Sequence, residues 1–178
     1  MSGSPKHFEA DGPRPAGFAD TPEVHGALDA TGLRFEIAVA RFNRDLTTRL
    51  AEAALAAIES CGGRRADARV TWVPGAFELP VVLRARLRAT PPPDAAIALG
   101  CVVEGETPHA DLITRQVTAA LSDLSLATGI PVIDGVVAAR TWDQAVSRCR
   151  SGPEGRGWYA GLAAVEMASL MRRIREDG

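Results

Sequence analysis

Ala95-Ala96-Ile97-Ala98-Leu99-Gly100-Cys101-Val102-Val103 is apolar almost throughout. At strand length, such a run reads as a strand covered on both faces, as in a parallel sheet, and so as a central one. Downstream, Ile113, Val117, Ala120, Leu121 and Leu124 fall on one helical stripe, which Gly129 stops with Pro131 two residues on. Pro131 to Val137 is then a further buried strand. Upstream, Phe35, Ile37 and Val39 alternate as in a strand that ends at Arg41-Phe42-Asn43. Leu46, Leu50, Ala54, Ala57 and Ile58 follow as a helical stripe closed by Gly62-Gly63. Val70, Trp72 and Val73 form another strand running into Pro74-Gly75, with a helix starting near Glu78 that accepts Pro80 in its first turn and is closed by Pro91-Pro92-Pro93. A short helix at Trp142 to Arg148, a turn from Ser151 to Gly157, and a helix carrying Ala160, Ala164, Met167, Met171 and Ile174 finish the chain. Strand and helix thus alternate four times. That pattern predicts a three-layer α/β/α sandwich on a four-stranded parallel sheet, with right-handed crossovers and binding chemistry at the carboxyl ends of the strands.

The outlying sequence sets the bounds. Residues 1–32 are rich in Gly, Pro, Asp and Ser without periodicity, the composition of a flexible tail that cannot offset the entropy of ordering; residues 33–178 form the single domain. A formal charge of -2 and a pI near 5.9 leave no basic face for nucleic acid. Cys61, Cys101 and Cys149 are odd in number, widely spaced and without a CxxC pair, as expected of reduced thiols rather than a metal or redox motif. No apolar run has the length of a signal peptide or of a membrane helix, so the expected location is the cytoplasm.

Three loops leave strand carboxyl ends on one edge of such a sheet: Arg41-Phe42-Asn43, Val73 to Glu78, and Glu104-Gly105-Glu106-Thr107-Pro108-His109. In the last, Gly105 frees the backbone, and the amides opening the next helix suit an anion such as phosphate. His109 stands at or just before that helix, where an imidazole can move protons near neutral pH or simply decorate the helix end. No second His or Cys stands at ligand spacing, so no metal is expected. Phe42 and Phe77 can sandwich a flat heterocycle or plug a core. Glu78 can accept hydrogen bonds from a pyrimidine or favour a first helical turn, and Asn43 is a candidate N-cap as well as a ligand. Arg148 and Arg156 flank the Ser151 to Gly157 turn, as phosphate ligands or as solvated charge. Asp123 and Arg172-Arg173 carry no function from spacing alone.

Arg41-Phe42-Asn43, VPGAFELP (73–80), GCVVEGETPH (100–109) and PVIDGVV (131–137) together resemble the lumazine synthase family, in order, across about residues 33–174. VPGAFELP with GETPH at this separation is a specific pair. The resemblance implies a flavodoxin-like fold and a cofactor-independent transferase of riboflavin biosynthesis. Its reaction condenses 5-amino-6-ribitylaminouracil with 3,4-dihydroxy-2-butanone 4-phosphate to 6,7-dimethyl-8-ribityllumazine, phosphate and water. It further implies that Phe42 stacks on the pyrimidine, with Asn43, Phe77 and Asp134 at the same substrate site. Ala76, Val102 and Val103 give that ring backbone contacts, Glu78 holds the ribityl chain, and His109 transfers protons. Gly105, Glu106, Thr107 and Arg156 bind phosphate, joined by Arg148 reaching into a neighbouring subunit's site. Homopentamers, in some members closed twelve at a time into an icosahedral shell, are implied too, with riboflavin synthase as a candidate partner.

The sequence departs from the family at Glu104, usually Lys or Arg, at Asp134, usually Phe or Asn, at Arg115-Gln116, usually Asn-Glu, and at Ala138-Ala139, often threonines. Arg156 stands where lysine is usual. A carboxylate at Asp134, whose family counterpart borders the neighbour's pocket, opposes a phosphate. Two other readings therefore stand beside the transferase: a non-catalytic relative serving as an oligomeric scaffold, and a flavin- or lumazine-binding carrier.

Overall fold

The computed structural model describes residues 21–177. Four parallel strands, β1 (Phe35–Ala40), β2 (Ala68–Val73), β3 (Ala95–Val103) and β4 (Val132–Ala139), lie in the order β2-β1-β3-β4. Helices α1 (Arg44–Ser60), α2 (Leu79–Arg86), α3 (His109–Thr128), α4 (Trp142–Arg148) and α5 (Arg156–Glu176) connect and cover them. This is the expected three-layer architecture and strand count.

Central β3 owes its place to its side chains. Ile97, Leu99 and Cys101 join the core under α1, α4 and α5, while the smaller Ala96 and Ala98 face α2 and α3, and all five are 2% exposed or less. Both faces being covered, the strand needs no polar alternation. On α1 the stripe Leu46, Leu50, Ala54, Ala57 and Ile58 is buried as read from its spacing. Each fully buried Leu or Ile of that stripe stabilises the fold by about 1.5–3 kcal/mol. The stripe packs against α5 at unusually close range. An added Cβ at Gly161 would come within 2.6 Å of the Ala54 carbonyl oxygen, and one at Gly157 within 2.2 Å of the Leu50 carbonyl oxygen. Both positions require the bare backbone.

On the opposite face Val117, Leu121 and Leu124 of α3 are buried with Leu79, Leu83 and Leu87, and Gly129 ends α3 in the left-handed region at φ 65°. At the amino edge of the sheet the Glu36 carboxylate, 4% exposed, accepts from Thr71 Oγ1 at 2.8 Å and Arg86 Nε at 3.0 Å. That pair ties α2 to β1 and β2, far from the carboxyl edge where the loops converge.

The reading of residues 1–32 as tail meets the structure at its last dozen residues; residues 1–20 lie outside those described. Ala27 N donates to Ser169 Oγ at 3.1 Å, Arg173 donates to the His25 carbonyl at 2.8 Å, Gly26 abuts Glu166, and Ala30 is 1% exposed. This segment lies along α5 as a strap, held through backbone groups that leave no mark in hydrophobic periodicity.

Candidate active site

The sheet order reverses between β1 and β3, and there the loops from their carboxyl ends diverge to leave a crevice. A cavity of about 850 Å³ opens at that place. Phe42 after β1, the Gly75 to Glu78 loop after β2, and Val102, Val103, Gly105 and Thr107 at the end of β3 line it together with His109 at the start of α3. Each of these loops follows a strand, so the sheet fixes their roots while their tips stay free to meet a ligand.

The aromatic side chains are presented, not packed. Phe42 is 69% exposed and Phe77 is 61% exposed, which removes the reading of either as a core plug within this subunit. Between them Ala76 is buried and the Glu78 carboxylate accepts from Gly75 N–H at 2.8 Å. One Glu78 oxygen therefore shapes its own loop, and a carboxylate keeps acceptor capacity for a second donor. An added Cβ at Gly105 would meet nothing within 4 Å, so no atom of this subunit dictates glycine there. Backbone without a side chain, on the rim of a cavity, is suited to close approach by another molecule. His109 is the first residue of α3, and no side chain caps that helix, leaving its first-turn amides facing the loop.

Asn43 occupies the N-cap position of α1 but does not cap it. Its backbone is left-handed, at φ 56° and ψ 47°, and its Nδ2 donates to the Cys101 carbonyl at 3.0 Å. The amide thus fastens the β1 loop to β3 directly behind Phe42. Of the residues expected at the substrate, Asn43, Glu106 and Asp134 do not line the cavity. The Asp134 carboxylate accepts from Thr118 Oγ1 and Val136 N–H, both at 2.9 Å. Its charge is therefore held by donors of its own subunit.

Arg148 and Arg156 stand apart. They line a second cavity of about 600 Å³ with Val136, Ala138, Asp143 and Gln144, and Arg156 donates to the Asp134 carbonyl. The structure brings the expected aromatic, carboxylate and imidazole groups into one place and the two arginines into another. Leu112, Ile113 and Gln116 also line the first cavity, and the sequence reading had not assigned them there. Their spacing of three, four and seven residues from His109 puts them on its helix face, a signal available once His109 was chosen. Among the described residues no group of three or more His, Cys, Asp or Glu is placed to hold a metal, and no helix is long and apolar enough to cross a membrane.

Known proteins show the same pattern. A protein from Syntrophus aciditrophicus (strain SB) named 6,7-dimethyl-8-ribityllumazine synthase is 40% identical over 151 residues, covering 85% of this chain and 97% of that one. One of the same name from Aquifex aeolicus (strain VF5) is 41% identical over 150 residues, covering 84% and 97%. The family model described as 6,7-dimethyl-8-ribityllumazine synthase matches residues 32–172, which spans all four strands and most of α5. On that match, carried by the sheet and by every loop of the cavity, the chain belongs to the 6,7-dimethyl-8-ribityllumazine synthase family.

Proposed function

We propose that this protein condenses 5-amino-6-ribitylaminouracil with 3,4-dihydroxy-2-butanone 4-phosphate to form 6,7-dimethyl-8-ribityllumazine. The observation that carries the reading is the convergence of Phe42, Glu78 and His109 on one cavity in a chain of this family. The exposed Phe42 ring stacks on the flat pyrimidine, and Ala76, Val102 and Val103 offer their backbone to its edge. Phe77 closes the same side, Asn43 sets the Phe42 loop, and Glu78 takes hydroxyls of the ribityl chain. Gly105, Thr107 and the amides opening α3 hold the phosphate.

The reaction proceeds by imine formation, loss of phosphate, ring closure and loss of water, steps that ask only for proton transfer. His109 supplies it, beside the leaving phosphate. Much of the barrier is the encounter of two polar molecules in the right orientation, and a shared pocket provides that entropically. Arg148 and Arg156, in a separate cavity of the same chain, complete the phosphate site of a neighbouring subunit, which makes a homopentamer the working unit and riboflavin synthase a candidate partner. Fixed cation and amides then stabilise phosphate as it departs. The proposed compartment is the cytoplasm.

A steady-state assay with both substrates, following lumazine by absorbance and fluorescence, tests the reading alongside mass photometry of the assembly. Turnover from pentamers or multiples of them is expected. A well-formed oligomer without product would sink the transferase in favour of a scaffold or carrier. The His109→Ala variant is expected to lose about 10-fold to 10⁴-fold in turnover.

A further inference from the structure

A cavity of about 310 Å³ lies at the amino edge of the sheet, where Arg34, Arg69 and Arg86 line it together with Glu36 and Asp67. Three guanidinium groups around one concavity repel each other unless something holds them, and their partners do. Buried Glu36 needs donors to keep its charge, and it has Thr71 Oγ1 on one oxygen and Arg86 Nε on the other. Arg86, its side chain 29% exposed, is thereby fixed in place, and its terminal nitrogens bond to no described residue. Arg34 is pinned by one terminal nitrogen to the Pro92 carbonyl at 2.6 Å, and its backbone N–H donates to the Asp94 carboxylate at 2.8 Å. Arg69 stands in register with Glu36 across β1 and β2, is exposed, and pairs with no described residue.

The neighbouring carboxylates do not cancel this charge. Asp67 gives both its oxygens to Arg64, at 2.6 and 2.9 Å, and Glu36 is matched by Arg86. Asp94 offsets Arg34, which leaves Arg69 in surplus. We propose that this cavity binds a small phosphoryl dianion, either inorganic phosphate or a small phosphate monoester, between Arg34, Arg69 and Arg86. A guanidinium presents its N–H groups as a planar fork that matches phosphoryl oxygens two at a time. Two of the three forks are already held by their own subunit, so the ordering cost of binding falls mainly on Arg69.

The volume bounds the ligand. It stands near the lower limit of small-molecule sites, roughly 300–1,000 Å³, so a phosphoryl group with a few carbons fills it, the carbons lying against Ala89, Pro91 and Pro93. This place is separate from the candidate active site, which opens at the carboxyl ends of the strands. The six residues of β1 alone set the two roughly 20 Å apart. The inference therefore goes beyond the lumazine-forming reading and does not depend on it. A bound dianion would join the end of α2, strand β2 and the entry to β1, and would stabilise the folded chain by mass action.

Full-length protein is treated with the arginine reagent phenylglyoxal at fixed ionic strength, in chloride alone or with inorganic phosphate or glycerol 3-phosphate, and each modified arginine is read by peptide mass spectrometry. Both phosphoryl probes are expected to protect Arg34 and Arg69, and chloride is not. In Arg69→Gln, an exposed change that leaves the fold intact, the phosphate concentration that half-protects Arg34 should rise about 10-fold or more. Both orders of the probes support the site: glycerol 3-phosphate protecting at the lower concentration assigns it to a monoester, and inorganic phosphate doing so assigns it to the free anion. Protection confined to Arg148 and Arg156, protection by chloride equal to that by phosphate, or an Arg34 response unchanged in Arg69→Gln would each overturn the proposal. Because protection is read residue by residue and needs no turnover, a protein that makes no lumazine at all still decides whether the site exists.

Discussion

Asn43 shows how one side chain serves two elements. A left-handed backbone at a non-glycine residue is costly, and Asn tolerates it better than most. Its amide offsets that cost by bonding to the Cys101 carbonyl, 58 residues away in sequence. Asn43→Ala loses both the amide and the tolerance, and a drop of about 1–2 kcal/mol in denaturant unfolding is expected. Asn43→Gly keeps the backbone and should lose less stability, yet both variants should raise KM for the pyrimidine because Phe42 loses its anchor. An unchanged KM in both would remove Asn43 from the positioning of Phe42. Glu166, under the strap at Gly26, has its carboxyl raised by burial, with His25 acting in the opposite sense. The folded state then holds that proton more tightly than the unfolded chain. The stability it contributes is present below the ordinary carboxylate range and is lost as pH rises through the raised value. Glu166→Gln should accordingly raise the thermal midpoint at pH 7 and leave it unaltered near pH 4. A midpoint equal to the native protein's at both values would contradict the assignment.

Among the elements, α1 and α5 decide how much volume the core tolerates. Replacing a mid-helix glycine with alanine gains about 1 kcal/mol of helix propensity. At Gly161 the new methyl would stand 2.6 Å from a backbone oxygen and 2.7 Å from Ala57 Cβ, and neither can swing aside. Overpacking of that kind costs about 1–3 kcal/mol or more, so Gly161→Ala should destabilise the protein despite better propensity, as chemical denaturation would show. The elements themselves were legible wherever burial is periodic: the α1 stripe, the continuous apolar run of β3, and the Gly129 stop of α3 are where spacing put them. The strap at residues 21–32 was not, because a segment held by backbone hydrogen bonds and a glycine contact carries no periodic signal. The Asn43 amide was hidden for a related reason: it joins positions that only the sheet order brings together.

For the whole molecule, the separation of the arginine cavity from the aromatic one is a statement about assembly. If Arg148 of one subunit serves the His109 site of its neighbour, two inactive variants should complement each other. Mixing His109→Ala and Arg148→Ala subunits after dissociation and reassembly should restore up to about a quarter of native activity, the chance that a site draws both intact parts. No recovery from mixed rings would place both residues in one subunit's site. Sequence alone located the loops that make up each half and could not show that the halves stand apart in a single chain. The close contact of α1 with α5 has a further consequence, in the making of the protein. Its two partners are separated by about 100 residues of intervening chain, and α5 is synthesised after every other element described. At roughly 5–20 residues per second, the nascent polypeptide holds an uncovered apolar strip for about 5–20 s before its lid emerges from the ribosome. Chaperones have that interval in which to bind it, and a message cut short before Arg156 yields a product that quality-control proteases meet with its core open.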